Sequence, residues 1–509
     1  MMKYYLVFFL FICKCASAQI YFNKTIDFSS ETETAYSITQ LENGDIVILG
    51  AYLDHEVREN YSIQSIFLMK LDEYGNQIWL QKYADSTAVL YTGFNGLIQT
   101  QDGGFAFGGG YAQAFPENLP AKYLIGKFDS LGNKDWFHTY GYEDYDTGLQ
   151  AKQLADGGFV MTGVSQNFSE TGEGLDAYDI YIIRTDKEGN LLWEKHIDNE
   201  GFDNSTSVQV LPNGNMLFGG FLDNSILGEY DGYILELDGE GNIVDEQVFG
   251  TEYTDCGMGI ELLKDGNYLV HSCEGKLIDG EIVTIDYIAK IDTNYNILWK
   301  WESKYSIEEY NLIKAVELKD GSIGFAGWYD RNSTSTLGWM GRLSSEGELI
   351  WEKEYYTVRT KHQNFYDMVA ANDGGMIAVG QAFNPDDVEN DESFNIWVVK
   401  VNCMGEFEAL AEGESCDVIV GIENEPLLQQ NSLHIFPNPT QDQVQFSWNT
   451  PATQLSVYNT TGQLITQIPL DLGQKILQLE VVDWRSGVYL VVLEDETGAI
   501  WGREKMVVR

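Results

Sequence analysis

Aromatic and acidic side chains gather in segments that recur along this chain. Tyr142, Asp144, Tyr145 and Asp146 stand in one, and Phe202, Tyr253, Tyr310 and Tyr356 in four later ones. Aromatic rings stack on the apolar faces of sugars, and carboxylates accept hydroxyl protons. The same set suits protein recognition. These eight residues are the candidate ligand-binding set, against the simpler role of rings that seal gaps between structural units. The loop Asn384 to Asn395 carries Asp386, Asp387 and Asp391. Calcium takes six to eight oxygen ligands, so the donors exist, but the spacing is not that of an EF-hand. A solvated acidic loop is expected, and no metal or cofactor is assigned; calcium is the one ion this loop has donors for. No HExxH or GxSxG occurs. There is no CxxC pair and the six histidines are scattered, which argues against zinc. No catalytic residue is assigned. Paired carboxylates for glycoside hydrolysis stay open, since 78 acids offer many pairs of unknown separation.

The elements that hold these segments are set by an internal repeat. An Asx-Gly turn occurs seven times: Asn43-Gly44, Asp102-Gly103, Asp156-Gly157, Asn213-Gly214, Asp265-Gly266, Asp320-Gly321 and Asp373-Gly374. Such dipeptides between apolar runs mark hairpins, because both positions tolerate positive φ. Seven residues after the Asx stands Gly50, Gly109, Gly163, Gly220, Gly327 or Gly380, with Ser272 in the fifth unit. A glycine fixed within a strand marks a bulge or a close backbone approach. A second turn starts at Asp72, Asp129, Asp186, Asp238, Asp292, Ser344 and Asn402. Seven residues later come Trp79, Trp136, Trp193, Trp299 and Trp351, with Asp245 and Ala409 in the other two units.

Each unit therefore has strand a, a tight turn, strand b, a varied loop, strand c, a tight turn and strand d. Four antiparallel strands in about 55 residues make a propeller blade. The expected fold is all-β: a seven-bladed β-propeller over 19–412, then a linker over 413–432 and a small β-sandwich over 433–509. The tryptophans are expected between blades. Gln19 to Ile26 occupies the place of a strand d and is expected to pair with the last blade and fasten the ring. The tight turns lie at one end of the blades. The varied b–c and d–a connections lie at the other, which is the candidate binding face.

Lys3, an apolar run from Tyr4 to Cys13 and the small residues Ala16-Ser17-Ala18 form a signal peptide over 1–18, with cleavage between Ala18 and Gln19. No later apolar run is long enough to span a membrane. With 78 acidic and 31 basic residues the net charge is −47, which repels nucleic acid and anionic lipid. Export permits disulfides. Cys256 and Cys273 sit equally far from the Lys264-Asp265 turn and should face each other. Cys403 with Cys416 is a second expected bridge.

The C-terminal stretch resembles the type A sorting domain of the type IX secretion system of Bacteroidetes-type bacteria. The resemblance rests on Phe436-Pro437-Asn438-Pro439, Val457-Tyr458-Asn459 with Gly462, Ser486-Gly487-Val488-Tyr489-Leu490, and Lys505-Met506-Val507-Val508-Arg509. It implies export across both membranes, the secretion machinery as partner, and a protein released or held at the cell surface. The D-x-x-G-x-x-x-W run, as in Asp72 to Trp79, is similar to the quinoprotein dehydrogenase repeat. Those propellers usually have eight blades and adjacent cysteines, both absent from this sequence. The expected role is a non-catalytic binder of a glycan or protein. The alternatives are an extracellular enzyme, carbohydrate-active or quinoprotein-like, and a spacer in a surface assembly.

Overall fold

The computed structural model describes residues 21–408 and 433–508, apart from 29–31, 55–62, 86, 114–120, 142–144, 167–177, 198–200, 224–229, 279, 305–309, 333–334, 385–392, 437, 439, 441–442, 449–451, 460–463, 471–473, 483 and 495–499. The expected signal peptide and the expected linker lie outside these residues. The chain divides into two compact units, Met1–Val418 and Ile419–Arg509. Every regular element among the described residues is a β-strand.

Among the described residues the first unit holds seven antiparallel sheets, six of them built from neighbouring strands in chain order. The first runs Glu33–Gln40, Ile46–Asp54, Ile63–Leu71 and Gln77–Tyr83. The seventh takes three strands from its own unit, Gln363–Ala370, Met376–Phe383 and Phe394–Val401. Its fourth is Phe22–Ile26, antiparallel to the third, with Phe22 opposite Lys400. The N-terminal strand thus pairs where the sequence placed it.

Apolar clusters join the sheets in a cycle. One cluster each lies between the first and second sheets, and so on through the sixth and seventh. A further cluster joins the seventh back to the first, with Ile377, Val379, Ile396 and Val398 against Ala35, Ile48 and Phe67. Each fully buried Leu, Ile or Phe contributes roughly 1.5–3 kcal/mol. The ring is therefore closed by the same force that stacks its other neighbours.

The Asx-Gly turns form, but with a different geometry from the one expected. Gly44 N–H donates to Leu41 O (2.9 Å) and Leu41 N–H to Asp45 O (2.8 Å). Only the glycine has positive φ, between 81° and 90° at all seven sites, and the preceding Asx does not. This is a type I turn closed by a left-handed glycine. Where the Asx is aspartate, its Oδ1 accepts the N–H two residues on, as Asp102 does from Gly104 (3.0 Å), and its Oδ2 meets a cation. Lys127 pairs with Asp102 (2.9 Å), Arg184 with Asp156 (2.6 Å), Lys290 with Asp265 (2.6 Å), Lys400 with Asp373 (3.2 Å), and Arg342 with Asp320. In the first sheet Asp45 takes this place with Lys70 (2.7 Å). Only the fourth sheet departs, with Glu236 accepting from Asn215 Nδ2 (2.6 Å).

In the second turn the aspartate clamps the backbone. Asp129 Oδ1 accepts from Leu131 N–H and Asn133 N–H, and its Oδ2 from Asn133 Nδ2, all at 2.8 Å. Asp72, Asp186, Asp238 and Asp292 do the same with Asn76, Asn190, Asn242 and Asn296. Each tryptophan lies over the next unit's turn residue: Trp79 over Gly132, Trp136 over Gly189, Trp193 over Gly241, Trp299 over Gly347 and Trp351 over Gly405. A side chain on any of these glycines would strike the indole. Phe22 covers Gly75 in the same way and completes the register.

In the second unit, Leu433–Phe436, Gln443–Trp448 and Ile476–Glu480 form one sheet. Leu464–Pro469, Gln454–Asn459, Gly487–Glu494 and Ile500–Val508 form the other. Val444, Phe446 and Trp448 share a core with Leu455, Val457, Val491 and Met506. Asn438 ties its loop to the last strand, accepting from Val507 N–H (2.8 Å) and donating to Lys505 O (2.6 Å). Tyr489 is buried and its hydroxyl donates to Arg485 O (2.7 Å), while Lys505 is exposed. Pro437, Pro439 and Gly462 lie outside the described residues.

Candidate ligand pocket

Strand a of most sheets carries a bulge near its start, opposite the recurring glycine. The register shifts at Tyr36, Leu149, Thr206, Ile313 and Tyr366. A Cβ at Gly50, Gly163, Gly220, Gly327 or Gly380 would run into a carbonyl of the facing strand. The glycine thus lets the strands close over the bulge. The fifth unit lacks it, and there the first strand is only Gly259–Leu262. The expected Cys256–Cys273 disulfide bridges that gap, with Cα atoms 4.9 Å apart, and Ser272 Oγ donates to Cys256 O (2.9 Å). Cys403 is buried and disulfide-bonded. Its expected partner Cys416 lies outside the described residues.

Bulges free backbone groups, and side chains of neighbouring sheets take them up around the ring. Leu97 N–H donates to Ser37 Oγ (2.9 Å), Gln150 Nε2 to Asn95 O (3.2 Å) and Val208 N–H to Gln150 Oε1 (2.6 Å). Ile260 N–H donates to Ser207 Oγ (3.0 Å). Lys314 lies 3.5 Å from both Glu261 and Asp367. Asp367 closes the belt, accepting from Ser37 Oγ (3.0 Å) and Ile38 N–H (2.9 Å).

Above this belt lies a cavity of about 370 Å³. Its walls include the bulge residues Leu149, Thr206, Ile313 and Tyr366, with Phe94, Trp328, Asp286 and the Cys256–Cys273 bridge. Its lining includes Cys256 and Gly257, in the d–a connection just before Gly259–Leu262, so the cavity is at the end bearing the varied connections. Tyr366 gathers an aromatic patch, with ring centres 5.5 Å from Tyr36, 5.6 Å from Phe94 and 5.7 Å from Trp328.

Burial raises the Asp286 carboxyl to about 7, and the Leu312 N–H it accepts (2.9 Å) opposes the shift. Burial lowers His271 to about 4, with the nearby Lys314 charge acting the same way. Asp367 is raised by burial against the pull of Lys314. For Glu261 burial acts upward, but Lys314 and Lys152 outweigh it and hold the group low. The floor thus couples Lys314, whose acidic neighbours hold its proton, to Glu261, held low, and to Asp367, pushed up by burial, while burial pushes Lys152 down. The wall holds one carboxyl that titrates near neutrality.

Of the eight residues singled out in the sequence, the four whose side chains are described, Asp146, Phe202, Tyr253 and Tyr356, are not among those lining the cavity. Asp146 is fully buried. Phe202 packs on Tyr178 (4.9 Å) and Phe221 (5.5 Å). Tyr253 is half-buried, and Tyr356 is exposed with the Arg359 guanidinium 5.3 Å from its ring. Tyr142 and Asp144 lie outside the described residues, as do the side chains of Tyr145 and Tyr310 and the acids Asp386, Asp387 and Asp391. Among the described residues, no group of three or more His, Cys, Asp or Glu side chains is placed to hold a metal. Sequence reasoning missed Phe94, Asp286, Trp328 and Tyr366. Tyr366, like Tyr36, stands seven residues before a turn Asx, and counting back from each turn finds that register.

Comparison with known proteins places two segments. Residues 434–509 match the secretion system C-terminal sorting domain. Residues 161–343 match the arylsulfotransferase family. No curated protein matches the chain. Three solved structures illustrate the likeness. A Bacteroides caccae protein of unknown function has TM-score 0.35 and 10% identity, over 65% of this chain and 98% of that one. Puromycin hydrolase has 0.47 and 10%, over 83% of this chain and 59% of the hydrolase. The β-propeller domain of the Pyrococcus furiosus Trilobed protease has 0.40 and 11%, over 75% of this chain and 100% of that one.

The chain is an all-β protein, built largely of four-stranded antiparallel sheets, that carries a type IX sorting domain. That domain marks proteins exported to the cell surface or the extracellular space, and this protein is one of them.

Proposed function

We propose that the seven sheets are the blades of a closed seven-bladed propeller over 19–412, exported after removal of residues 1–18 and followed by a linker and a C-terminal sandwich. Its task is to bind a glycan or protein ligand in the cavity at the varied end. The observation that carries this reading is the Tyr366, Phe94 and Trp328 patch lining a cavity of about 370 Å³. Aromatic walls with few convergent polar groups are the usual build of a ligand site. The purified secreted chain applied to a glycan and surface-protein array tests it. Saturable binding is expected, weakened at least about tenfold by Trp328→Ala or Tyr366→Ala, since stacked rings dominate such contacts. Binding indifferent to both variants would overturn the assignment of the cavity.

A second reading has its own support. The arylsulfotransferase match covers 161–343, which includes Thr206, His271, Asp286 and Trp328 of the cavity. Transfer of sulfate from an aryl sulfate to a phenol, abolished by Trp328→Ala, would make the cavity an active site.

A further inference from the structure

Asp286 is the carboxylate at this cavity without a cationic partner. Its side chain is more than nine-tenths buried, and its Oδ2 accepts the Leu312 N–H. The charged and titratable groups on the elements packed against it are otherwise engaged. Glu274 on the strand before it is paired with Lys276 and Lys300, and Lys276 also with Glu302 on the strand after it. Lys314 on the next sheet is shared between Glu261 and Asp367. His271 is held neutral at pH 7 by burial. By side-chain type, the floor and wall hold two lysines, Lys314 and Lys152, against three carboxyl groups, Glu261, Asp367 and Asp286. A net charge of −47 makes the surrounding field attract cations toward such a cleft. The electron-rich faces of Phe94, Trp328 and Tyr366 line the same cavity and favour a cation as well.

We propose that the cavity binds a ligand bearing a single protonated or quaternary amine, whose body lies on the Phe94, Trp328 and Tyr366 rings and whose charge is matched by Asp286. This rests on the ligand-binding reading of the cavity and names the chemistry it selects. A buried carboxylate facing an apolar wall gives little to a neutral ligand. It favours a cation of the same shape, because only the cation removes the cost of burying the charge.

The test uses the full exported chain and pairs of probes that differ in charge. Choline is compared with its uncharged isostere 3,3-dimethylbutan-1-ol, and the amino sugar alcohol glucamine, still protonated at pH 8, with sorbitol, by calorimetric titration at pH 8 and pH 5.5. The amine of at least one pair is expected to bind about tenfold tighter than its neutral partner at pH 8. That gap should narrow at pH 5.5, where Asp286 is protonated, and vanish in Asp286→Asn. Which pair shows the gap separates a quaternary amine from an amino sugar alcohol. Equal binding within both pairs, a gap that survives in Asp286→Asn, or no saturation by any amine would overturn the proposal. Neutral sugars that bind with sensitivity to Trp328→Ala would then leave the wider pocket reading standing. Binding of array ligands that ignores Trp328→Ala would remove both.

Discussion

The two ends of the sheets obey different rules. At the turn end one set of contacts is repeated with little change: an aspartate paired to a Lys or Arg, a clamped Asp-Asn turn, and a ring over the neighbour's glycine. At the other end the bulge register reads Tyr36, Leu149, Thr206, Ile313 and Tyr366, a mixture of aromatic, aliphatic and hydroxyl side chains. The turn end must fit both neighbours around the ring, so each sheet repeats the same residues. A bulge is a property of the backbone and of the facing glycine, so its side chain is free to differ. Specific recognition belongs at the end where side chains differ while the backbone stays fixed.

The sharpest way to break this comparison is at the turn end. Arg342 is 2% exposed and bonds Asp320, Ser322 Oγ (2.9 Å) and Cys403 O (2.9 Å). Arg342→Ala strands the Asp320 carboxylate and should cost about 3–5 kcal/mol in urea unfolding. Lys353, paired with Glu406 at the surface, should cost no more than about 1 kcal/mol when changed to Ala. Equal costs would mean that the buried pair is not what interlocks the sheets. Trp299→Ala comes next, at about 3 kcal/mol, because it removes the ring over Gly347 and the indole bond to Ser345 O (2.8 Å). The varied end offers a counterpart in the disulfide. Cys256→Ser with Cys273→Ser opens a link between residues 17 apart and should cost about 2–3 kcal/mol. It should also weaken ligand binding, since the bridge is part of the cavity wall.

The same contrast governs what the sequence disclosed. Turns, rings and glycines recur, so their spacing revealed the strands, the place of the Gln19 to Ile26 strand and the Cys256–Cys273 bridge. The cation two residues before six of the seven second turns, such as Lys127 before Asp129, went unnoticed, because only turn-formers and tryptophans were aligned. The cavity was hidden for the opposite reason. Tyr366, Trp328 and Asp286 come from different sheets and different strand positions, and only closure of the ring brings them together. An aromatic near an acid in sequence also describes a ring packed on its own neighbours, as Phe202 is on Tyr178 and Phe221.

The smallest expected effect separates the two ends by the sign of their pH dependence. In the second turns, asparagine side chains and backbone N–H groups hold Asp129, Asp186, Asp238 and Asp292 below the usual carboxylate range. Their contribution to stability is present above the unfolded value near ~4 and is lost as pH falls through the lower folded value. Asp286 is raised to about 7 by burial, so the folded state holds its proton more tightly than the unfolded one. Its contribution is complete below ~4 and is lost as pH rises toward 7. The urea midpoint followed from pH 3 to pH 8 should therefore carry a limb of each sign. Asp286→Asn should flatten the limb between pH 4 and pH 7 and leave the acid limb unchanged, while Asp129→Asn with Asp186→Asn should do the reverse. If Asp286→Asn left the slope between pH 4 and pH 7 as it was, that carboxyl would not be the group titrating in the cavity wall.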